Sequence, residues 1–549
     1  MKSVGKFLFF VLLTVFAAFF ASLAFPGRFI ERGIPLLAFI SLVPMFYVVN
    51  KSSWYYTWFL GLVYGFVFYL EYNYWLKTFH PLAILIAPVL ESVQYIILFP
   101  VLKSARKLFK KRYYIAQSIF YSGYLYLTQQ GFLAYPYGNL TSAIYEFSAF
   151  IQIVAITGIW GLGFLMVLFQ TLISEMLSEW RFYKKDIAII SILFIMNECY
   201  GLTVLNYYRN KEVDESIRIA AIQHNADTWQ GGYDTYEKNF HNLRDLTLEA
   251  MKENPDMVVW SETAFVPSVS WHEKYPSSSY TSKLCKEFVD FGLTLDVPLV
   301  TGNPEGVIKD ESLPPFLKDG SWNWKTYNTV IHFADGSVQG TYRKQHLVPF
   351  TEHFPYEKQF PTIYRILLEH DYKWWEEGTE ATVFSFGDLK FSTPICFEDT
   401  FGVLSANFVR NGADMIINLS NDFWSQSVQA EEQHMQLAIF RAIENRRPML
   451  RSTNSGITCL VLPSGDIVDP LEPFTMTYHI YTVPVARNQK LTFYTRYPDL
   501  FGKLFLIMTP IVFIYGLFCM KENRKKEEFM ALVARYEHIF DSIDDRYEC

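Results

Sequence analysis

Ser392-Thr-Pro-Ile-Cys-Phe-Glu-Asp-Thr400 joins an apolar, strand-like run at 383–391 to the helix-like Phe401-Gly-Val-Leu-Ser-Ala-Asn-Phe-Val-Arg410. A thiol at a strand-to-helix turn sits near helical N–H groups, which favour the thiolate and can bind an oxyanion. Cys396 therefore has a nucleophile's address, although a lone Cys at a strand end also fits as a small buried hydrophobe. What separates the two is whether other reactive groups fall at the ends of neighbouring strands.

Two do. Glu262 follows the apolar run Met-Val-Val-Trp-Ser in the string Trp260-Ser-Glu-Thr-Ala264, and Lys344 ends the strand-like Gly340-Thr-Tyr-Arg-Lys344. Around them, strand-like runs lie at 217–223, 257–261, 298–302, 326–333, 382–386, 390–395, 415–419, 449–454 and 457–462. Helix-period segments lie between them at 234–254, 279–296, 405–412 and 431–447. Strands alternating with helices predict sheets covered by helices on their outer faces, with mixed strand pairing. A Glu, a Lys and a Cys at one end of adjacent strands converge on a cleft, where they supply a base, a cationic stabiliser and a nucleophile. Singly, the Glu reads equally well as a cap and the Lys as a surface residue.

The rest of the chain is too apolar for a soluble enzyme. Of 549 residues, 51% are hydrophobic and 18% aromatic, and the mean hydropathy is +0.10. Apolar spans are expected at about 7–25, 34–50, 54–76, 82–102, 113–134, 146–177, 186–206 and 502–520, seven before the polar region and one after it. Basic clusters at Lys103 to Arg112, Arg181 to Lys185 and Lys521 to Lys526 fall on one side if there are eight spans, and that side is the cytoplasm. Arg28 and Arg32 run against this rule. The predicted domains are a membrane domain at 1–206, a periplasmic catalytic domain at 207–496, an eighth helix at 497–520 and a cytoplasmic tail at 521–549, whose Cys549 has no assigned role. Glu71 and Glu91 lie in or at the edge of spans and mark either a cavity or a headgroup site, or paired or snorkelling groups.

A net charge of −7 and a pI near 5.9 give no basic footprint for nucleic acid. Six scattered cysteines form neither a disulfide framework nor a metal set, and no phosphate loop is present. His272, His332, His346, His353 and His434 show no ligand spacing and are expected as turn, packing or surface residues. No metal or cofactor is expected.

The Glu, Lys and Cys strings resemble the nitrilase superfamily, whose catalytic triad has these residue types on an α-β-β-α sandwich. Tyr342-Arg-Lys-Gln-His-Leu-Val-Pro-Phe-Thr-Glu352 is similar to the K-x-x-L-V-P-F-G-E segment of apolipoprotein N-acyltransferases, and Asn418-Leu-Ser-Asn-Asp-Phe-Trp424 to their N-x-x-N-D-A-W segment. Gln433 to Pro448, Arg451-Ser-Thr-Asn-Ser-Gly-Ile-Thr458, Leu23-Ala-Phe-Pro26, Tyr135-Pro-Tyr137, Ile151-Gln152 and Gly158-Ile-Trp-Gly161 continue the likeness over nearly the whole chain. Thr351, Phe423, Phe397 and Tyr-Pro-Tyr depart from the family pattern without removing a reacting group.

The resemblance implies a membrane-embedded enzyme of the bacterial inner membrane, with seven helices, a periplasmic nitrilase-like domain, an eighth helix and cytoplasmic termini. Cys396 would take an acyl chain from a glycerophospholipid as a thioester and pass it to the N-terminal amine of a diacylated lipoprotein. Glu262 would be the base, and Lys344 with the Phe397 N–H would hold the oxyanion. Glu352 and Glu398 would fix Lys344 or the cysteine loop. Trp229, Trp424 and Asn421 are the implied substrate contacts, and a monomer is expected. Two rivals are a membrane-anchored amidohydrolase using the same triad on water, and a transporter or receptor with a large external ligand-binding domain.

Overall fold

In the computed structural model, which describes residues 2–79, 83–211, 213, 215–318, 321–354, 356–369, 374–487 and 489–544, the polar half forms two six-stranded sheets. The first runs β12–β1–β2–β3–β4–β5, built from β1 (Glu215–Gln223), β2 (Met257–Val259), β3 (Leu299–Ile308), β4 (Trp324–Ala334), β5 (Ser337–Arg343) and β12 (Thr477–Val485). The second runs β11–β10–β9–β8–β7–β6, from β6 (Val383–Phe386), β7 (Leu389–Ser392), β8 (Met415–Ser420), β9 (Met449–Thr453), β10 (Cys459–Val461) and β11 (Ile467–Val468). Pairing is mixed, as the sequence predicts: β1–β2–β3 and β7–β8–β9 are parallel, and the flanking pairs are antiparallel.

The period of two along each strand sorts side chains between two cores. Ile217, Ile219, Ala221, Met257, Val259 and Val300 point between the sheets. Their neighbours Ala220, Ile222, Val258 and Leu299 point outward, onto helices Tyr233–Met251 and Tyr280–Thr294. Helices Gly402–Arg410 and Val428–Asn445 cover the second sheet, completing an α-β-β-α sandwich. β11 and β12 were not among the sequence-derived strands. β11 is two residues long, and β12 contains Pro484 and alternates weakly, so neither carries a strong strand signal.

Helical segments stand at all eight sites where the sequence predicts spans. Five are individually long and apolar enough to cross a membrane: Val4–Ser22, Ala83–Leu108, Phe150–Glu179, Lys184–Asn210 and Leu500–Val533. Pro35–Lys51 and Trp54–Tyr72 qualify only together and meet at 118°. Lys103 fixes that corner, donating from Nζ to the carbonyls of Val49 (2.8 Å) and Ser52 (2.6 Å) and so satisfying the end of helix Val43–Lys51. Tyr113–Leu127 is a shorter helix of 15 residues. Helix Leu500–Asp544 continues through position 520 without a break, so the last span and the expected tail are one element. Cys549 lies outside the described residues.

Helix Val428–Asn445 is buried along nearly its whole length because it lies between the second sheet and the membrane helices. Gln433 accepts from Trp75 Nε1 (2.9 Å) and donates to the carbonyls of Pro26 (2.8 Å) and Tyr72 (3.1 Å). Arg446 donates to Gln152 Oε1 (2.7 Å), and Gln152 donates to the Ser464 carbonyl (2.8 Å).

Candidate active site

Glu262 is placed by a close approach of backbones. Beyond β2 the chain passes so near β3 that a Cβ at Gly302 would lie 2.3 Å from the Thr263 nitrogen and 2.7 Å from Glu262 Cα. The Glu262 carboxylate accepts from Asn328 Nδ2 (2.7 Å), Lys344 Nζ (3.2 Å) and the Asn421 backbone N–H (2.9 Å). Lys344 follows β5, anchored by its N–H to the Asn328 carbonyl (2.9 Å), and donates also to Glu352 Oε1 (2.8 Å). Glu352 Oε2 accepts from the Val348 N–H (2.8 Å).

Burial governs the charges. Lys344 is only 1% exposed. Burial alone would lower its pKa, yet the carboxylates of Glu262 and Glu352 outweigh burial and hold the ammonium well above its usual range. Burial raises Glu262, opposed by Lys344.

Cys396 opens the short helix Cys396–Thr400, where the first amides have no intrahelical partner. Its φ is +47°, a left-handed conformation that strains a residue with a side chain. The surroundings hold it there. Asn418 Nδ2 donates to the carbonyls of Cys396 and Pro394, both at 3.3 Å. Glu398 accepts from the N–H groups of Ile395 (2.7 Å), Gln345 (2.7 Å) and His346 (3.1 Å) and from the Tyr342 hydroxyl (2.8 Å). One carboxylate thus ties the cysteine turn to the segment bearing Lys344. Burial pushes Glu398 up to about 7.

The Cys396 thiol is raised well above its ordinary value by burial and by Glu262, with Lys344 opposing. The resting group is a thiol, and attack requires a base. Glu262 is a carboxylate within electrostatic reach of it.

Residues 8–172 match the model of the apolipoprotein N-acyltransferase N-terminal domain, and residues 218–492 match that of the carbon-nitrogen hydrolases. Apolipoprotein N-acyltransferase 1 of Treponema denticola is 36% identical over 524 residues, covering 92% of this chain and 96% of its own. The protein of the same name from Treponema pallidum is 31% identical, covering 93% and 95%. The chain belongs to the apolipoprotein N-acyltransferase family. A nitrilase-superfamily amidase from Nesterenkonia AN1 overlays 50% of this chain and 94% of its own, at 15% identity and a TM-score of 0.35.

As an apolipoprotein N-acyltransferase, the protein is an acyltransferase of lipoprotein maturation whose nitrilase-like domain is joined to long apolar helices. Of the implied substrate contacts, Asn421 is turned to Glu262. Its N–H binds Glu262, and its side-chain carbonyl accepts from Asn454 (3.0 Å). Trp424 packs on Trp75 of the membrane half, ring centroids 5.4 Å apart. Trp229 is half exposed at a turn where its N–H meets Asp227 (2.9 Å). Glu91 of helix Ala83–Leu108 accepts from Gln94 (2.6 Å).

The residues least visible in advance lie behind the thiol. His434 is buried, with Nδ1 3.0 Å from Asp422 and Nε2 2.9 Å from Asp399, and Arg451 pairs with Asp399. Burial alone would lower His434, but the two aspartates raise it to about 10, so it is an imidazolium at neutral pH. His434 is thus the packing residue among the expected alternatives, and it carries a buried charge as well. The signal was available: Asp422, His434 and Arg451 all sit in the strings that carry the family likeness.

Proposed function

We propose that this N-acyltransferase moves an acyl chain from a glycerophospholipid, through a thioester on Cys396, to the α-amino group of the N-terminal diacylglyceryl-cysteine of lipoproteins. The observation that carries the reading is a buried carboxylate, ammonium and thiol in one electrostatic unit, Glu262, Lys344 and Cys396.

In the first step Glu262 takes the thiol proton as sulfur attacks the ester carbonyl, forming the C–S bond. Charge develops on the carbonyl oxygen opposite the Lys344 ammonium and the Phe397 N–H. Donors preorganised for an oxyanion typically contribute roughly 100- to 1000-fold in rate each. The ester C–O bond then breaks, and Glu262 returns the proton to the departing glycerol oxygen, releasing a lysophospholipid. In the second step the lipoprotein amine attacks the thioester, Glu262 takes an N–H proton, the C–S bond breaks, and the sulfur regains its proton. Dividing the reaction this way spares the enzyme from aligning both lipids at one moment.

Glu352 holds Lys344, Glu398 holds the cysteine turn, and Asn328 and Asn421 hold Glu262. The clusters Lys103 to Arg112, Arg181 to Lys185 and Lys521 to Lys526 support cytoplasmic termini and a periplasmic catalytic domain. A membrane-tethered site keeps acyl chains in hydrocarbon, where each buried methylene is favoured by about 0.8 kcal/mol.

Intact mass spectrometry of the purified protein after exposure to phospholipid tests the first step. An acyl mass on Cys396, absent from Cys396→Ala and discharged as N-acyl peptide by a diacylated lipopeptide, is the expected result. Free fatty acid without N-acyl peptide would instead assign hydrolysis.

A further inference from the structure

Arg28 and Lys77 have no place in the chemistry above, and the membrane rule for basic residues argues against Arg28 on the face where it stands. Arg28 follows helix Lys2–Ser22 and Lys77 follows helix Thr57–Tyr72. Lys77 also precedes the Ala83 end of helix Ala83–Leu108, opposite the basic end at Arg106 and Lys107. Both side chains are exposed, and among the described residues neither forms an ion pair.

The two helix exits are held side by side, because Gln433 donates to the carbonyls of both Pro26 and Tyr72. Lys77 Nζ lies 5.8 Å from the centroid of Tyr74 and the Arg28 guanidinium 5.4 Å from the centroid of Phe29, and both Arg28 and the carboxylate of Glu31 act electrostatically on Tyr74. Arg32 acts electrostatically on Glu432. Tyr74 is itself fixed to the catalytic domain, donating from its hydroxyl to Gln429 Oε1 (2.8 Å), and Thr78 donates to the Ser425 carbonyl (2.6 Å). The next residue, Trp75, packs on Trp424 (5.4 Å) and Tyr137 (6.4 Å). Tyr137 stacks on Phe397, centroids 6.4 Å apart and planes within 11°, and Phe397 follows the nucleophile. A run of aromatic rings thus leads from Trp424 and Trp75, the residue after Tyr74, through Tyr137 to Phe397 beside Cys396 in sequence.

We infer that Arg28 and Lys77 form a subsite for the phosphodiester anion of the acyl donor, at the outer end of the aromatic run Trp424–Trp75–Tyr137–Phe397. A guanidinium matches a phosphate with paired donors, and a lysine adds a point charge. In a glycerophospholipid the phosphate and the acyl esters share one glycerol, so anchoring the anion aligns an ester along that run toward Cys396. The subsite rests on the acyl-transfer reading above and names the part of the donor that is recognised.

The experiment measures thioester formation on Cys396 in the full-length protein in neutral detergent. Its donors are phosphatidylethanolamine and a diacylglycerol with the same chains, which lacks the phosphate. For Arg28→Gln/Lys77→Gln, the phosphatidylethanolamine concentration giving half-maximal acylation rises roughly tenfold or more at an unchanged maximal rate. The preference for phospholipid over diacylglycerol collapses by the same factor. Lys252→Gln, on the exposed lysine that follows helix Tyr233–Met251, changes the kinetics with neither donor. Equal losses with both donors, or no loss with either, would overturn the subsite. Inhibition of the wild type by inorganic phosphate only when phospholipid is the donor supports it, whereas equal inhibition with diacylglycerol would assign the cations to free phosphate and overturn it. A wild type that forms no thioester with either donor would sink the acyl-transfer reading itself.

Discussion

Glu398 touches no reacting atom in the proposed chemistry, yet four donors converge on its carboxylate from both sides of the catalytic cleft. Glu398→Gln keeps the shape but turns an NH2 group toward donors, leaving buried N–H groups unmatched at a cost of about 2–4 kcal/mol. The expected result is a lower melting temperature together with at least tenfold slower thioester formation; a variant that acylates at the wild-type rate would remove Glu398 from the positioning of Cys396. Glu262 makes a prediction of opposite kind, because in the proposed chemistry it is the base. Burial raises its pKa, so a larger fraction is protonated and inactive at mildly acid pH than for an ordinary carboxylate. Acylation is therefore expected to fall as pH drops through a midpoint above the usual 4.5 for a glutamate. Glu262→Gln should lose that limb along with roughly 100- to 10,000-fold in rate. Both residues were legible in the sequence, since each sits within three residues of a strand end or of the nucleophile. Asn328 was not, because an Asn in mid-strand carries no local signal of the carboxylate it will meet across the cleft.

At the scale of elements, the proposed base Glu262 is positioned by the absence of a side chain. β3 can press against the Glu262 turn only because Gly302 has no Cβ. In Gly302→Ala the new methyl meets backbone on both contacts, which cannot swing aside as a flexible side chain would. The Glu262 turn must shift, and a displacement of the order of 1 Å at a catalytic group typically costs about 100-fold. We expect the thioester rate to fall by about that factor while circular dichroism retains the sandwich; a fully active alanine variant would show that the turn tolerates the shift. The strands that build this junction were readable from Val- and Ile-rich runs, and the long helices from their apolar length. The 118° corner before Trp54 was not, because it depends on Lys103, 51 residues beyond Ser52, reaching back to cap it. β12 was missed for a related reason: its pairing with β1 joins the two ends of the catalytic domain, and no short window contains both partners.

For the molecule as a whole, the helix Val428–Asn445 is the shared wall between membrane half and sandwich, and its buried His434 is where the parts meet. Asp399 belongs to the helix of the nucleophile, Asp422 follows the residue that binds Glu262, Arg451 lies on β9, and Tyr137 of the membrane half packs 6.5 Å from the imidazole. Breaking this cluster is therefore expected to loosen the junction, and its charges give the effect a pH signature. Burial opposes ionisation of His434, but Asp399 and Asp422 raise its pKa from 6.5 to about 10 in the folded protein. A raised folded pKa means its stabilisation is complete below 6.5 and is lost as pH climbs toward about 10. Asp422 runs the other way. Burial would raise it, but His434 and Arg451 lower it from 3.8 to about 2, so its contribution is complete above 3.8 and is lost as pH falls toward about 2. The two windows overlap between 3.8 and 6.5. The gap in melting temperature between wild type and His434→Gln, followed by intrinsic tryptophan fluorescence in detergent, should be widest there and should close as pH rises through the range from 6.5 to about 10. A gap that stays constant across that range would mean that the histidine holds the junction by shape alone and carries no charge between its two aspartates.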